Sequence, residues 1–312
     1  MKTNLITLLM LIITFTNLYA QTEKIVLLKT ATGDLEGTLI APEQNSTKVV
    51  ALLIAGSGPT DRDGNNPAMK NNSLKMIAVE LSKNGIASLR YDKRGIARSQ
   101  SAGLKEADLR FDNYVNDAKE WISYLKKELK FNNIIVIGHS EGSLIGMIVS
   151  QNKNANKFIS LAGAGQTADK IIREQLKNQP LSVTIQVNNI LDEMVKGKTV
   201  ENTPAQLNSI FRPSVQPYMI SWIKYDPQKE IAKLKIPVLI IQGTTDIQVS
   251  KDDATRLSKA LPGAKLVIIE GMNHILKQAQ ADRDMNILTY SQPDLPLKKE
   301  LTDNIVSFIK SK

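Results

Sequence analysis

The stretch NIIVIGHSEGSLIGMIV, Asn133 to Val149, decides how this chain is read. Its first part is apolar and β-branched, the pattern of a buried strand. Its last part, from Ser143, is apolar and compatible with a helix. Between them lies Gly138-His139-Ser140-Glu141-Gly142. A serine with glycines two residues before and after it is either an ordinary Ser-Gly loop or a nucleophile on a tight turn. The flanking strand and helix favour the turn. Such a turn strains the serine backbone, and only residues without a Cβ let strand and helix approach closely on either side.

Working outward, apolar runs bounded by turn residues recur along the chain. They are EKIVLL from Glu23, LEGTLIA from Leu35, KVVALLIAG from Lys48, IASLRYD from Ile86, NIIVIG from Asn133, KFISLAG from Lys157, IPVLIIQG from Ile236 and AKLVIIEG from Ala264. The later runs are continuously apolar, as expected of parallel strands covered on both faces. Helical stripes fall between them: Leu74, Ile77, Ala78 and Leu81; then Val115, Ala118, Ile122, Leu125 and Leu129; finally Leu301, Ile305, Phe308 and Ile309. Alternating strands and helices predict a doubly wound α/β sheet whose ligands collect at the carboxyl ends of its strands. From about Gly163 to Leu234 no strand pattern appears. That stretch reads as a helical insertion, with Val187, Ile190, Leu191, Met194 and Val195 as an apolar stripe packed on the core or on neighbouring helices.

The strand, turn and helix around Ser140 resemble the nucleophile elbow of the α/β-hydrolase superfamily. The resemblance implies an α/β-hydrolase fold, a mostly parallel eight-stranded sheet flanked by helices. Residues 21–162 and 235–312 would form the core and residues 163–234 a helical lid. It also implies a triad in the order serine, acid, histidine, with acid and base on loops after late strands. Asp246 follows IPVLIIQG and His274 follows AKLVIIEG, so both positions are filled. A serine hydroxyl needs an imidazole to take its proton, and a buried carboxylate to orient that imidazole. The chain has two histidines, and the other, His139, adjoins the serine on the elbow, where its side chain is expected to point away from the hydroxyl. Among rival acids, Asp252 and Asp253 read as helix N-terminal groups, and Asp61, Asp63 and Asp92 lie in earlier loops. The oxyanion donors implied are the backbone N–H of Glu141 and, by alignment of Ala55-Gly56-Ser57-Gly58 with the family's His-Gly-X loop, that of Ser57. Alanine replaces the family's histidine there, which leaves the register of the second donor open by one residue.

YDKRGIARS, Tyr91 to Ser99, resembles the D-x-R-G-x-G-x-S stretch of the same superfamily, with Asp92 and Arg94 as structural residues. DRDGNN, from Asp61, has the look of a calcium loop but fails the pattern: position six is Asn66 and position twelve Asn72. It reads instead as a hydrogen-bonded loop bracing the oxyanion turn. Among subfamilies the chain is most similar to secreted bacterial serine esterases of the serine-aminopeptidase-like type. That implies an ester-cleaving enzyme acting on short to medium acyl chains of a small-molecule substrate, with neither cofactor nor metal. A peptidase or thioesterase on the same triad, or a non-catalytic binding protein on the same scaffold, are the alternatives. An aminopeptidase would need carboxylates near the insertion to hold a substrate ammonium; Glu174, Asp192, Glu193 and Glu201 are the candidates.

Composition narrows the classes further. With no cysteine, disulfide frameworks and thiolate metal sites are excluded. The net charge of +9 comes from basic residues scattered among acidic ones, and aromatics are only 5%. No basic and aromatic interleaving of the nucleic-acid-binding kind results. Lys2, the apolar LITLLMLIITF and NLYA before Gln21 read as a signal peptide cleaved after Ala20. The expected product is an exported protein without a membrane span.

Overall fold

The computed structural model describes residues 22–42 and 48–311. The leader expected at residues 1–20 lies outside them. Eight strands form one sheet: β1 (Thr22–Thr30), β2 (Gly33–Ala41), β3 (Val49–Ile54), β4 (Ala87–Tyr91), β5 (Asn133–His139), β6 (Lys157–Leu161), β7 (Val238–Gly243) and β8 (Lys265–Ile269). Their order is β1-β2-β4-β3-β5-β6-β7-β8. β2 pairs antiparallel with β1 and β4, and every other pairing is parallel. This is the mostly parallel eight-stranded sheet that the apolar runs predict.

Strand alternation divides the interior into two layers, because successive side chains leave opposite faces of a strand. Val50, Leu52 and Ile54 of β3 join one core, and Ala51 and Leu53 the other. The first core is covered by α2 (Phe111–Lys127) and α3 (Glu141–Val149). The second is covered by α1 (Ser73–Lys83) and the C-terminal helix (Lys299–Lys310). The predicted stripes supply the contacts: Leu74, Ile77, Ala78 and Leu81 of α1 are buried, as are Val115, Ala118, Ile122 and Leu125 of α2.

Between β6 and β7 the chain forms α4 (Ala168–Leu176), α5 (Leu181–Val195), α6 (Asn208–Phe211), α7 (Gln216–Ile223) and α8 (Pro227–Ile231). Val187, Ile190, Leu191 and Met194 bury the inner face of α5 and merge with the first core, but Val195 is 54% exposed. The expected stripe is therefore one residue too wide. Val195 is the last helical residue, one position past Met194 and so about 100° around the axis. After β7 come α9 (Lys251–Ala260), α10 (Arg283–Leu288) and α11 (Lys299–Lys310).

Candidate active site

In chain order β4 leaves on one side of β3 and β5 on the other, so the winding reverses at β3 and β5. A parallel sheet opens a crevice at the carboxyl ends of the two strands where it reverses. Ile54 pairs with Gly138 at that end. The sheet order therefore brings the turn after β3, Gly56 to Gly58, against the turn after β5, which carries Ser140. The approach is close: a Cβ on Gly56 would stand 3.1 Å from Ser140 Cβ.

Ser140 connects β5 to α3 with φ 54° and ψ −121°, a conformation that side chains other than glycine avoid. Its neighbours permit it. A Cβ on Gly138 would fall 2.1 Å from the Gly142 carbonyl oxygen, and one on Gly142 would fall 2.3 Å from the Ile54 carbonyl oxygen. Both glycines are thus required by backbone packing. The Ser140 N–H donates to Leu161 O at 2.9 Å, and its carbonyl accepts from Ser143 N at 2.9 Å, so the strained residue is held at both ends.

Asp246 and His274 leave the carboxyl ends of the adjacent strands β7 and β8. His274 Nδ1 is 2.8 Å from Asp246 Oδ2, and both side chains are buried. The same oxygen accepts from Gln242 Nε2 at 2.9 Å, while Oδ1 accepts the backbone N–H groups of Gln248 at 2.8 Å and Val249 at 3.0 Å. Burial by itself would raise this carboxyl. The His274 imidazole and the surrounding donors outweigh it and hold Asp246 below the usual carboxylate range. The His274 loop is braced from below, where Asn273 Nδ2 donates to Thr289 Oγ1 at 2.8 Å and Asn273 Oδ1 accepts from Lys277 N at 3.1 Å. Ser140 Oγ makes no hydrogen bond to His274, whose Nδ1 is turned to Asp246.

The His139 ring is engaged elsewhere. Its Nε2–H donates to the His274 carbonyl at 2.8 Å, and the two rings are 4.9 Å apart between centroids. Burial, with a smaller contribution from His274, pushes its pKa down to about 4, so the ring is neutral near pH 7.

Ser57, Gly58, Ser140 and Glu141 line one cavity of about 800 Å³. The rest of its wall is mainly apolar, including Leu144, Ile171, Ile172, Leu176, Met219 and Trp222, much of it from α4 and α7. Two acidic residues reach that wall. Glu106 pairs with Arg212 and accepts from Ser214, and Glu141 accepts from Tyr218 OH at 2.6 Å. Glu174, Asp192, Glu193 and Glu201 are absent from it. The first three pair with Lys177, Arg173 and Lys196 on exposed helix faces, and Glu201 is exposed.

Residues 70–278, about two-thirds of the chain, match the model of the serine aminopeptidase S33 family. The chain belongs to that family of hydrolases. Among curated relatives, esterase EstD of Thermotoga maritima is 26% identical over 246 residues, which span 78% of this chain and 58% of the relative's length. Among solved structures, Est1E from Butyrivibrio proteoclasticus with bound ferulic acid superposes with a TM-score of 0.61 at 20% identity. The match covers 92% of this chain and 100% of that one. Proline iminopeptidase from Mycobacterium smegmatis superposes with a TM-score of 0.58 at 14% identity, covering 92% and 97%. The shared fold thus carries more than one chemistry, and the family alone does not choose among them.

The charged residues of the earlier loops are held by partners within the fold. Asp92 accepts from Arg62 N at 2.8 Å, from Arg62 Nη2 at 2.6 Å and from Arg98 N at 3.1 Å, while Arg94 pairs with Asp117. In the DRDGNN loop Asp61 Oδ1 accepts from the N–H groups of Asp63 and Asn65, and Asp63 pairs with Arg90. Asp253 closes a capping box with Ser250. Sequence reading missed Gln242, Tyr218 and Lys93. The Lys93 ammonium is buried and donates to Gly56 O at 2.5 Å and Gly58 O at 3.0 Å. A lysine two residues past a strand in a family motif was a visible signal, but its target lies 37 residues away.

Proposed function

We propose that this protein is a serine hydrolase that cleaves carboxylic esters of short to medium acyl chain through Ser140, His274 and Asp246. The observation that carries the reading is the buried His274–Asp246 pair, 2.8 Å apart, at the same end of the sheet as the strained Ser140. The carboxylate fixes the proton on Nδ1 and leaves Nε2 free to accept. His274 takes the Ser140 proton as Oγ attacks the acyl carbon; the N–H groups of Ser57 and Glu141 hold the developing oxyanion. His274 then returns the proton to the departing alcohol. Water, activated by the same imidazole, releases the acid and restores the serine.

Esters are favoured over peptides by the cavity wall. An aminopeptidase must bind a substrate ammonium, and both carboxylates on this wall are already engaged, Glu106 by Arg212 and Glu141 by Tyr218. An apolar cavity of about 800 Å³ suits an acyl or aryl group. The esterase relatives agree with this choice. Export also belongs to the proposal, on the leader read at residues 1–20; a mature N-terminus at Gln21 on protein recovered outside the cytoplasm tests it.

The reading is tested by treating the purified protein with a fluorophosphonate probe and with p-nitrophenyl esters of graded acyl length. Stoichiometric labelling at Ser140, and loss of both labelling and turnover in Ser140→Ala, are expected. Turnover unchanged in Ser140→Ala refutes it. Cleavage of amino-acyl nitroanilides in preference to esters assigns the peptidase reaction instead.

A further inference from the structure

Among the buried charged groups that the acid–base chemistry leaves unused, the cluster around Lys93 lies against the turn beside Ser140. Lys93, two residues past the end of β4, is completely enclosed, and burying an ammonium costs several kcal/mol unless its donors are satisfied. Two of them are, by the carbonyls of Gly56 and Gly58. Glu141 Oε1 lies 3.7 Å from the same nitrogen, and the Tyr114 ring centroid 5.1 Å from it. The other Glu141 oxygen accepts from Tyr218 of α7. Desolvation pulls the lysine below its ordinary range, and Glu141 opposes that pull.

A trans peptide unit points its C=O and N–H in opposite directions. The carbonyl that Lys93 grips most tightly, that of Gly56, belongs to the same peptide unit as the Ser57 N–H. Gly56 packs against Ser140, and Ser57 lines the cavity beside it. We propose that Lys93 is a positioning residue for the oxyanion hole. By holding the Gly56 carbonyl, it turns the Ser57 N–H toward Ser140, and through Glu141 it steadies the helix turn that supplies the second donor. A cation at the carbonyl end of a peptide also polarises its N–H, so positive charge reaches the oxyanion through the peptide without Lys93 touching substrate. The Gly58 carbonyl contributes differently. Its peptide partner is Pro59, which has no N–H, so that bond only pins the turn.

The proposal rests on the acyl-transfer reading above. Its test compares wild type, Lys93→Met and the charge-balanced double variant Lys93→Met/Glu141→Gln, all with melting temperatures. Three quantities are measured: kcat and KM on p-nitrophenyl butyrate; inhibition by a trifluoromethyl ketone, which forms a tetrahedral oxyanion adduct; and competition by a non-hydrolysable ether analogue of the substrate. A disordered donor should cost about 10²-fold in kcat in both variants. KM and ether binding should stay within about threefold, while ketone affinity falls in parallel with kcat. A purely structural lysine would not split the ketone from the ether. Folded variants with kcat within about threefold of wild type, or with ketone and ether affinities falling together, overturn the proposal. Failure of both variants to fold also overturns it, by assigning Lys93 to the stability of the fold. A wild-type protein inactive on esters is a separate failure, that of the acyl-transfer reading.

Discussion

Replacing Asp246 by asparagine tests the acid–base pair most sharply, because the surrounding hydrogen bonds dictate which way the new amide faces. Oδ1 accepts two backbone N–H groups, those of Gln248 and Val249, and neither can turn away. In Asp246→Asn the amide oxygen therefore keeps that position, and the NH2 takes the place of Oδ2, facing His274 Nδ1 and Gln242 Nε2. Two donors cannot share a hydrogen bond, so the imidazole gives up its Nδ1 proton, accepts there, and carries its proton on Nε2. In that tautomer His274 cannot take the Ser140 proton. Loss of the correct tautomer costs about four orders of magnitude in kcat, equivalent to about 5.5 kcal/mol of transition-state stabilisation. The assay is steady-state hydrolysis of p-nitrophenyl butyrate, with the rate of fluorophosphonate labelling as a second readout that also needs an activated Ser140. KM should change little, since the pair does not line the cavity. A folded variant that keeps kcat within about tenfold of wild type refutes the assignment of Asp246 and His274.

Two further outcomes follow from the same geometry. His139 has a folded pKa of about 4 against an ordinary value of 6.5, so its contribution to stability is complete above pH 6.5 and is lost as pH falls from 6.5 toward 4. Going from pH 6.5 to pH 5 should cost about 2 kcal/mol of unfolding free energy through this group. Urea titrations should find that loss reduced in His139→Gln; an unchanged pH dependence would contradict a buried neutral ring. Ile172 lines the cavity, and Ile172→Phe fills part of the acyl space. At about 0.8 kcal/mol per buried methylene, excluding two to four of them lowers kcat/KM on the octanoyl ester by about 10- to 10²-fold. Acetyl ester turnover should be nearly unaffected, and equal losses on both esters would show that the chain binds elsewhere.

Much of this protein is legible in one dimension. Strands read as continuous apolar runs because parallel strands are buried on both faces, and α1 and α2 read as stripes because a helix buries only one side. The elbow is only partly local: the collision that excludes a Cβ at Gly138 arises within its own strand, turn and helix, whereas the one at Gly142 is with the Ile54 carbonyl of β3. With two histidines in the chain, and one of them adjoining Ser140, the base has a single candidate. The position of Asp246 after β7 and of His274 after β8 follows from strand order.

What the sequence left open depends on which strands become neighbours. YDKRG announces three charged residues, but hydropathy cannot tell that Asp92 meets Arg62, that Arg94 meets Asp117 and that Lys93 runs beneath the turn after β3. Those partners are fixed by β4 lying beside β3 and by α2 covering their face. The same holds for Tyr218, which reaches Glu141 from 77 positions along the chain, and for Glu174, Asp192 and Glu193, which pair with basic neighbours away from the cavity. Periodicity reports which face a residue occupies. Only the tertiary structure, by setting the order of strands and the packing of helices above them, decides what that face meets. In this protein it set a lysine under the Gly56 carbonyl, at the edge of the site that the sequence had already marked with Ser140.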